Sequence, residues 1–392
     1  MDRKKIKIVR IINRFNLGGP TYNATFLTRF LSDEFETILI GGVHDIGEKD
    51  SLHILEAYGV TPIIIPEMKR SVNVIQDRKA YKKIKDIINI EQPDIVHTHA
   101  SKAGFLGRRA AFSCGVGVVV HTFHGHVFHS YFGNLKTRLI KQLERNLAKR
   151  STGIIAISDL QKKELVTEHK ITSGEKVTVI PLGFDLVKFT SNKEIARKDV
   201  RAKYAIKDDE VAIAIIGRLA PVKAHDYFLN IIKRLLSETS KKVRVFIVGD
   251  GDLYESISFQ ANELNKKYPE VITMTSWILD IANFNHGMDI ICLTSKNEGT
   301  PVSLIEAQAA GKPVISTDVG GVRDIVADER SGYVIKNGDI ETYVKKLRLL
   351  VENDEDRLTF GENAIDNVLN KYSYDRLVKD VEGYYKNLLG RE

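Results

Sequence analysis

Short runs of β-branched and aliphatic residues alternate along this chain with longer stretches whose apolar positions recur at helical spacing. In the first half, Ile6 to Ile12, Glu36 to Ile40, Pro62 to Ile65, Asp94 to His97, Val118 to Phe123, Gly153 to Ser158 and Val177 to Pro181 read as strands. A second set follows at Val211 to Gly217, Val243 to Gly249, Val271 to Ser276, Asp289 to Ser295, Pro313 to Thr317 and Gly332 to Ile335. Near-continuous apolar strands separated by helices predict parallel sheets covered on both faces. The expected fold class is therefore α/β, with two Rossmann-like, doubly wound domains. The length of 392 residues exceeds what one hydrophobic core usually serves and suits two. The boundary is expected in the polar segment Ser191 to Lys203, giving domains over 1–190 and 191–371 and a terminal segment over 372–392. In that last segment Leu377, Val381, Tyr384, Tyr385, Leu388 and Leu389 recur at helical spacing.

Composition narrows the function classes. The first apolar run is broken by Lys7 and Arg10, and no run reaches the roughly 18 residues of a membrane-crossing helix, so a cytoplasmic protein is expected. Cys114 and Cys292 stand far apart with no CxxC pattern, which predicts reduced core residues and no zinc finger. Residues 1–190 hold 29 Lys and Arg against 19 Asp and Glu, and the remainder holds 29 against 32. The basic first half would attract a phosphorylated acceptor or an anionic membrane surface, although solvated lysines in a basic protein give the same balance. With no zinc-finger or aromatic-basic RNA signature, no nucleic-acid partner is expected.

The densest chemistry lies between Glu298 and Gly311. Thr300 is a capping residue type and Pro301 suits a first helical position, so a helix is expected to begin near Val302. Its first-turn amides can hold a phosphate. Glu306 lies about one turn on, sharing a face with Val302 and Ser303, and can reach a hydroxyl beside that phosphate. Glu298 precedes the cap, with Gly299 after it, and projects toward the same space. The pattern suits a sugar phosphate; two solvated glutamates flanking an ordinary turn would read alike. Gly217 and Arg218 end a strand and Lys223 follows near a helix start, so two cations can converge on a diphosphate. Gly18 and Gly19 precede Pro20 in a turn that lets backbone approach a ligand. The GxGxxG spacing of a dinucleotide site is missing, which weighs against a dehydrogenase.

Six histidines gather at two neighbouring strand ends: His97, His99, His121, His124, His126 and His129. A metal site is disfavoured because no Cys or carboxylate stands near them, and His97 and His121 suit structural roles. Asp250, Gly251 and Asp252 mimic a DxD metal motif but read better as an acidic turn capping a strand, so no essential metal is expected. Phe123, Phe128, Tyr131 and Phe132 lead into a basic helix over 135–150, whose stripe of Leu135, Leu139, Leu143 and Leu147 could pack on a sheet or dock on an anionic bilayer.

The run from Asn297 through Gly311 to Asp324 resembles the signature of family 4 retaining glycosyltransferases with the GT-B fold. The segments Arg14 to Pro20, His121 to Gly125, Gly217 to Lys223 and Tyr372 to Tyr374 resemble further family landmarks in the expected order. The resemblance covers nearly the whole chain. It implies an N-terminal acceptor domain, a C-terminal nucleotide-sugar domain, a last helix returning to the first domain and an active site between the two. By resemblance, His124 contacts the transferred sugar, Glu298 the donor sugar and Glu306 the ribose. Arg218 and Lys223 hold the diphosphate, with Gly217, Gly299, Thr300, Pro301, Val302 and Ser303 around it and Gly18 and Gly19 in the N-terminal glycine loop. The implied reaction moves a sugar from a nucleotide diphosphate donor, a UDP-sugar foremost, to an acceptor hydroxyl with retention. No cofactor or metal is implied, and a lipid-linked glycan intermediate is the expected acceptor. Two departures bear on the donor pocket: Leu182 replaces a common Asn, and Trp277 replaces a common Gly. A related UDP-sugar epimerase or hydrolase and a noncatalytic sugar-nucleotide binding protein are the competing readings.

Overall fold

The computed structural model describes residues 4–16, 18–44, 51–124 and 134–391, with side chains in the helix after 133 described from 137 onward. The chain forms two units, Met1–Phe184 with Tyr372–Glu392, and Asp185–Lys371.

Unit 1 holds the strands β1 (Ile6–Phe15), β2 (Phe35–Val43), β3 (Ile63–Ile64), β4 (Ile95–His99), β5 (Val118–Phe123), β6 (Gly153–Ala156) and β7 (Val177–Val179). They form one sheet in the order β3-β2-β1-β4-β5-β6-β7, and every pair is parallel. Burial on both faces explains the unalternating apolar runs: Ile8, Val9, Ile11, Ile95, Val96, Val119 and Val120 are all buried. The last helix, Tyr374–Leu388, packs Leu377, Val378, Val381 and Tyr385 into the same core as Ile6, Ile8 and Ile95. Its entry is stitched by Phe184 N donating to Tyr372 O at 2.8 Å and Tyr374 N donating to Phe184 O at 3.0 Å.

Unit 2 holds β8 (Glu210–Ile216), β9 (Lys242–Val248), β10 (Ile272–Thr275), β11 (Ile290–Leu293), β12 (Val314–Asp318) and β13 (Gly332–Lys336). This sheet is also parallel, in the order β10-β9-β8-β11-β12-β13. In both sheets the strand order reverses beside the first strand, between β1 and β4 and between β8 and β11. At such a reversal neighbouring connections diverge to opposite faces, leaving a crevice at the carboxyl ends of the strands.

All thirteen expected strands are present. The chain crosses into unit 2 at Phe184/Asp185, ahead of the polar segment 191–203, and Lys193–Lys203 of that segment is itself a helix. Ala196, Val200 and Arg201 bury one face of it, so a helix polar on its remaining sides reads as a linker from composition alone. The leucine stripe of the basic helix also divides. On the Asn134–Arg150 helix, Ile140, Glu144, Leu147 and Ala148 turn toward the protein interior, whereas Leu139 and Leu143 are 61% and 41% exposed. A strict i, i+4 series precesses by about 40° per step at 3.6 residues per turn, so four such leucines cannot all meet one surface. The side chain of Leu135 and residues His126, Phe128, His129, Tyr131 and Phe132 lie outside the described residues.

Candidate active site

The helix at the end of the β11 loop spans Val302–Ala309, beginning where the sequence placed it, but its cap differs. Pro301 is the N-cap, with φ −70° and ψ 95°, and no side chain caps the helix; Thr300 lies one residue outside. The extended ψ of Pro301 keeps it out of the first turn, and its carbonyl accepts from Leu304 N at 3.1 Å. The amides of Val302 and Ser303 have no hydrogen bond from the described residues, which leaves two donors and the positive end of the helix dipole open. Val302, Ser303 and Glu306 are the half-buried residues of a helix otherwise packed into the unit. The Glu306 carboxylate has no hydrogen-bonding partner among the described residues. Burial pushes it up to about 7, against the opposing pull of the Lys188 ammonium.

Glu298 is held from two sides. Lys223 Nζ and Ser295 Oγ each donate to its Oε1 at 2.5 Å. The Lys223 stem runs beside Gly217, where an added Cβ would lie 3.7 Å from its Cε. The Lys223 and β11 loops are tied together: Thr294 Oγ1 donates to the carbonyls of Lys223 and Ala224 at 3.1 Å, and Lys296 N donates to Val222 O at 2.8 Å. Arg218 is exposed, and its guanidinium has no hydrogen-bonding or ionic partner among the described residues. Two open amides, an open guanidinium, an ammonium and two carboxylates therefore stand on the loops following β8 and β11 and on the helix that ends the latter, groups able to receive an anion and a hydroxylated ring.

Several positions that hold this geometry carried no assigned role in the sequence. Gly320, at φ +51°, has its α-carbon so close to Glu298 that an added Cβ would sit 1.7 Å from the Glu298 carbonyl, and one at Gly321 would sit 2.1 Å from Gly299 O. The glycine pair after β12 thus admits the Glu298 segment, a role that a Gly-Gly dipeptide at a strand end can signal. Ser295 lies within the apolar strand pattern, and Lys188 is far from Glu306 in sequence, so neither left a local signal. Asp250 to Asp252 form a turn after β9, with Asp250 Oδ1 accepting from Gly251 N at 2.7 Å. Trp277 lines a groove of about 610 Å³ after β10 with Lys203, Tyr204 and Leu279.

In unit 1, Gly18 is the N-cap of the Gly19–Arg29 helix, and a Cβ on Gly19 would meet Leu182 Cδ1 at 3.3 Å. Of the described histidines near the β4 and β5 ends, His97, His99 and His124 gather with Arg10 and Tyr385 on one face of the sheet, and His121 is buried on the other face against Thr98 and Gly104. Arg10 on β1 is the register partner of His97 on β4, and its Nη1 lies 3.1 Å from His97 Nδ1, 3.4 Å from His99 Nε2 and 3.2 Å from Tyr385 Oη. His97 Nε2 meets Thr122 Oγ1 at 2.7 Å, and His121 Nδ1 meets Thr98 Oγ1 at 2.8 Å. His99 Nδ1 lies 2.9 Å from His124 Nε2. Burial holds His97, His99 and His121 well below the usual imidazole range and His124 down to about 3, which favours the neutral form of each ring. Among the described residues, no group of three or more His, Cys, Asp or Glu side chains is arranged to hold a metal.

Residues 18–188 match the family described as Glycosyltransferase Family 4, and residues 196–367 match Glycosyl transferases group 1. The chain is 30% identical over 333 residues to the Escherichia coli UDP-Gal:alpha-D-GlcNAc-diphosphoundecaprenol alpha-1,3-galactosyltransferase, covering 84% of each. It is 26% identical over 333 residues to the Staphylococcus aureus capsular polysaccharide biosynthesis glycosyltransferase CapM, covering 83% of this chain and 85% of that one. A crystal structure of Anabaena HepE in complex with UDP matches the fold with a TM-score of 0.82 at 17% identity, covering 97% of this chain and all of that one. With both halves matched and the strand arrangement of two parallel Rossmann-like sheets, the chain belongs to glycosyltransferase family 4, the group 1 glycosyl transferases of GT-B fold.

Proposed function

We propose that this glycosyltransferase moves a hexosyl or N-acetylhexosaminyl group from a UDP-sugar to a hydroxyl of a lipid-linked glycan in surface polysaccharide synthesis, with retention and without a metal. The observation that carries the reading is the Lys223–Glu298 pair held between the tied segments after β8 and β11, which also carry Arg218 and, at the start of the following helix, the open amides of Val302 and Ser303. In this reading unit 2 is the donor domain and unit 1 the acceptor domain. Arg218 and Lys223 take the diphosphate, with the backbone from Gly299 through Thr300 and Pro301 to Ser303 lining it and Gly217 beside the Lys223 stem. Glu306 accepts from the ribose hydroxyls and Glu298 from the donor sugar. Gly18 and Gly19 offer a bare backbone to the substrate, and His124 hydrogen-bonds the transferred sugar. UDP is favoured because the E. coli relative is named for a UDP-Gal donor and the HepE structure contains UDP. The same relative's diphosphoundecaprenol acceptor supports a lipid-linked one here.

As the bond between the anomeric carbon and the leaving phosphate oxygen breaks, its electron pair passes to that oxygen. The acceptor oxygen bonds the same face of the carbon, and its proton passes to the leaving phosphate. Cations on the diphosphate stabilise the charge that develops there, which is commonly the largest contribution to such catalysis. No carboxylate base is required.

The decisive experiment incubates the protein with UDP-, GDP-, ADP- and dTDP-sugars, with and without a lipid-diphosphate GlcNAc acceptor, following nucleotide release and thermal shift. The expected result is stabilisation by UDP, lost in Glu306→Ala, with UDP release that requires acceptor. Release without acceptor would replace transfer by hydrolysis or epimerisation, and no stabilisation by any donor would remove the donor site.

Contact with an anionic membrane surface is proposed separately, from Leu139 and Leu143 exposed on a helix bearing Arg138, Arg145, Lys149 and Arg150. Among the described residues, no helix is long and apolar enough to cross a membrane.

A further inference from the structure

The histidine cluster of unit 1 carries more than packing. A guanidinium has only N–H donors and stays protonated, so any ring nitrogen facing it must present a lone pair. Arg10 is fully buried, and no carboxylate compensates it among its hydrogen-bonding partners, which are His97 Nδ1, His99 Nε2, the Tyr385 hydroxyl and the Leu27 carbonyl at 3.3 Å. A proton on His99 Nε2 would point at the cation, which excludes it. With Nε2 unprotonated toward Arg10, the proton of the ring resides on Nδ1. That nitrogen faces His124 Nε2 at 2.9 Å, so His124 Nε2 accepts, and its own proton is confined to Nδ1. The consequence runs from a residue in the middle of β1 to the residue just after β5.

We infer that Arg10 and His99 are positioning residues that lock His124 in the Nδ1–H tautomer, so that His124 serves as a hydrogen-bond donor to an oxygen and not as an acceptor or base. His124 Nδ1 is buried and has no partner among the described residues, an unsatisfied donor in a cluster where the other ring nitrogens of His97 and His99 are all matched. A buried N–H without an acceptor is costly, and a hydroxyl or ring oxygen of a bound sugar supplies what it needs. This deepens the assignment of His124 to the transferred sugar and rests on it for the ligand. The tautomer itself follows from the cluster alone.

The test reads the tautomer first and activity second. Long-range 1H–15N correlation on the full-length protein labelled at histidine, with signals assigned by single substitutions, is expected to show His124 and His99 each protonated at Nδ1 from pH 6 to 8. Protonation of His124 at Nε2 in the wild type overturns the relay, whatever the transfer rate. In His99→Leu the His124 ring loses its fixed tautomer, and kcat for sugar transfer is expected to fall roughly tenfold with KM little changed, the size of one misdirected hydrogen bond. His99→Gln, whose amide can both accept from Arg10 and donate to His124, restores it. At position 124 itself, Asn places an amide near the Nδ1 location and Gln near Nε2, so His124→Asn retains more activity than His124→Gln. A locked Nδ1–H together with unaltered transfer in His124→Ala would uphold the tautomer while removing His124 from the sugar, which separates failure of the functional assignment from failure of the relay. Should His99→Leu not fold, the wild-type spectrum and His99→Gln still decide the matter.

Discussion

Unit 2 sets Lys223 against Glu298 at the edge of solvent, with side chains 23% and 10% exposed, whereas unit 1 encloses Arg10 completely among two imidazoles, a phenol and a carbonyl. A third arrangement belongs to the same unit: Arg108, equally buried, is paired with Glu144 at 2.6 Å. These three cations differ in what their partners allow. A partly exposed pair keeps access to water and can take a ligand charge as an additional or alternative partner at modest cost. A fully buried cation cannot, and its uses are to hold a structure together or to dictate where neighbouring protons reside. Recognition of an anionic donor suits the loops of unit 2, and orientation of a neutral donor group suits the cluster of unit 1.

The sharpest break in this comparison is Glu144→Ala. It leaves Arg108 buried without a carboxylate and should cost about 3–5 kcal/mol of stability by urea unfolding. A loss below about 1 kcal/mol would mean that Arg108 tolerates neutral surroundings as Arg10 does, and the distinction between the two would fall. Next is Lys223→Ala, for which transfer should drop about 10²–10³-fold while the melting temperature falls only modestly, because the lost ammonium is itself partly exposed and Glu298 keeps its bond from Ser295 Oγ. A double substitution with Glu298→Ala should be far from additive, since each residue holds the other. Activity within a fewfold of wild type would show the pair to be structural only.

Glu306→Gln gives an intermediate effect with a defined pH dependence. Burial raises the folded-state carboxyl to about 7, above the ordinary glutamate range, so the unfolded chain releases this proton first. Stability contributed at this position is full at pH 4, falls as pH rises toward 7 and is lowest above it. Glu306→Gln should therefore match the wild type in thermal stability near pH 4 and exceed it at pH 8. UDP binding shows the opposite trend, weaker in the variant by roughly tenfold at pH 8, because a charged acceptor to ribose hydroxyls is lost. Parallel stability curves for the two proteins across this range would refute the buried titration. The smallest effect belongs to the exposed leucines of the basic helix. Leu139→Ser with Leu143→Ser should reduce co-sedimentation with phosphatidylglycerol vesicles severalfold and leave stability within about 0.5 kcal/mol. Unchanged sedimentation would remove these leucines from any membrane contact.

Much of the architecture was legible because its signals are local. Thirteen apolar runs became thirteen strands, since a parallel strand buried on both faces must be continuously apolar. The Val302 start and the shared face of Val302, Ser303 and Glu306 followed from helical geometry over a few residues. The cap was misplaced by one residue, because proline serves either as the cap or just inside it and only the backbone ψ distinguishes them. The segment 191–203 read as a linker because three buried positions in an otherwise charged helix leave a faint period.

What the sequence determined by itself was the set of elements, the two-unit α/β class and the segments that carry the chemistry, because each depends on residues near one another in the chain. Partnership was decided only by the tertiary structure. Lys223 reaches Glu298, Lys188 influences Glu306, Gly320 admits the Glu298 carbonyl, and Arg10 governs His99 and through it His124. Each of these joins different strands or loops, and a hydrogen bond or close approach of a few ångströms depends on sheet order and register, which side-chain pattern along one strand does not encode.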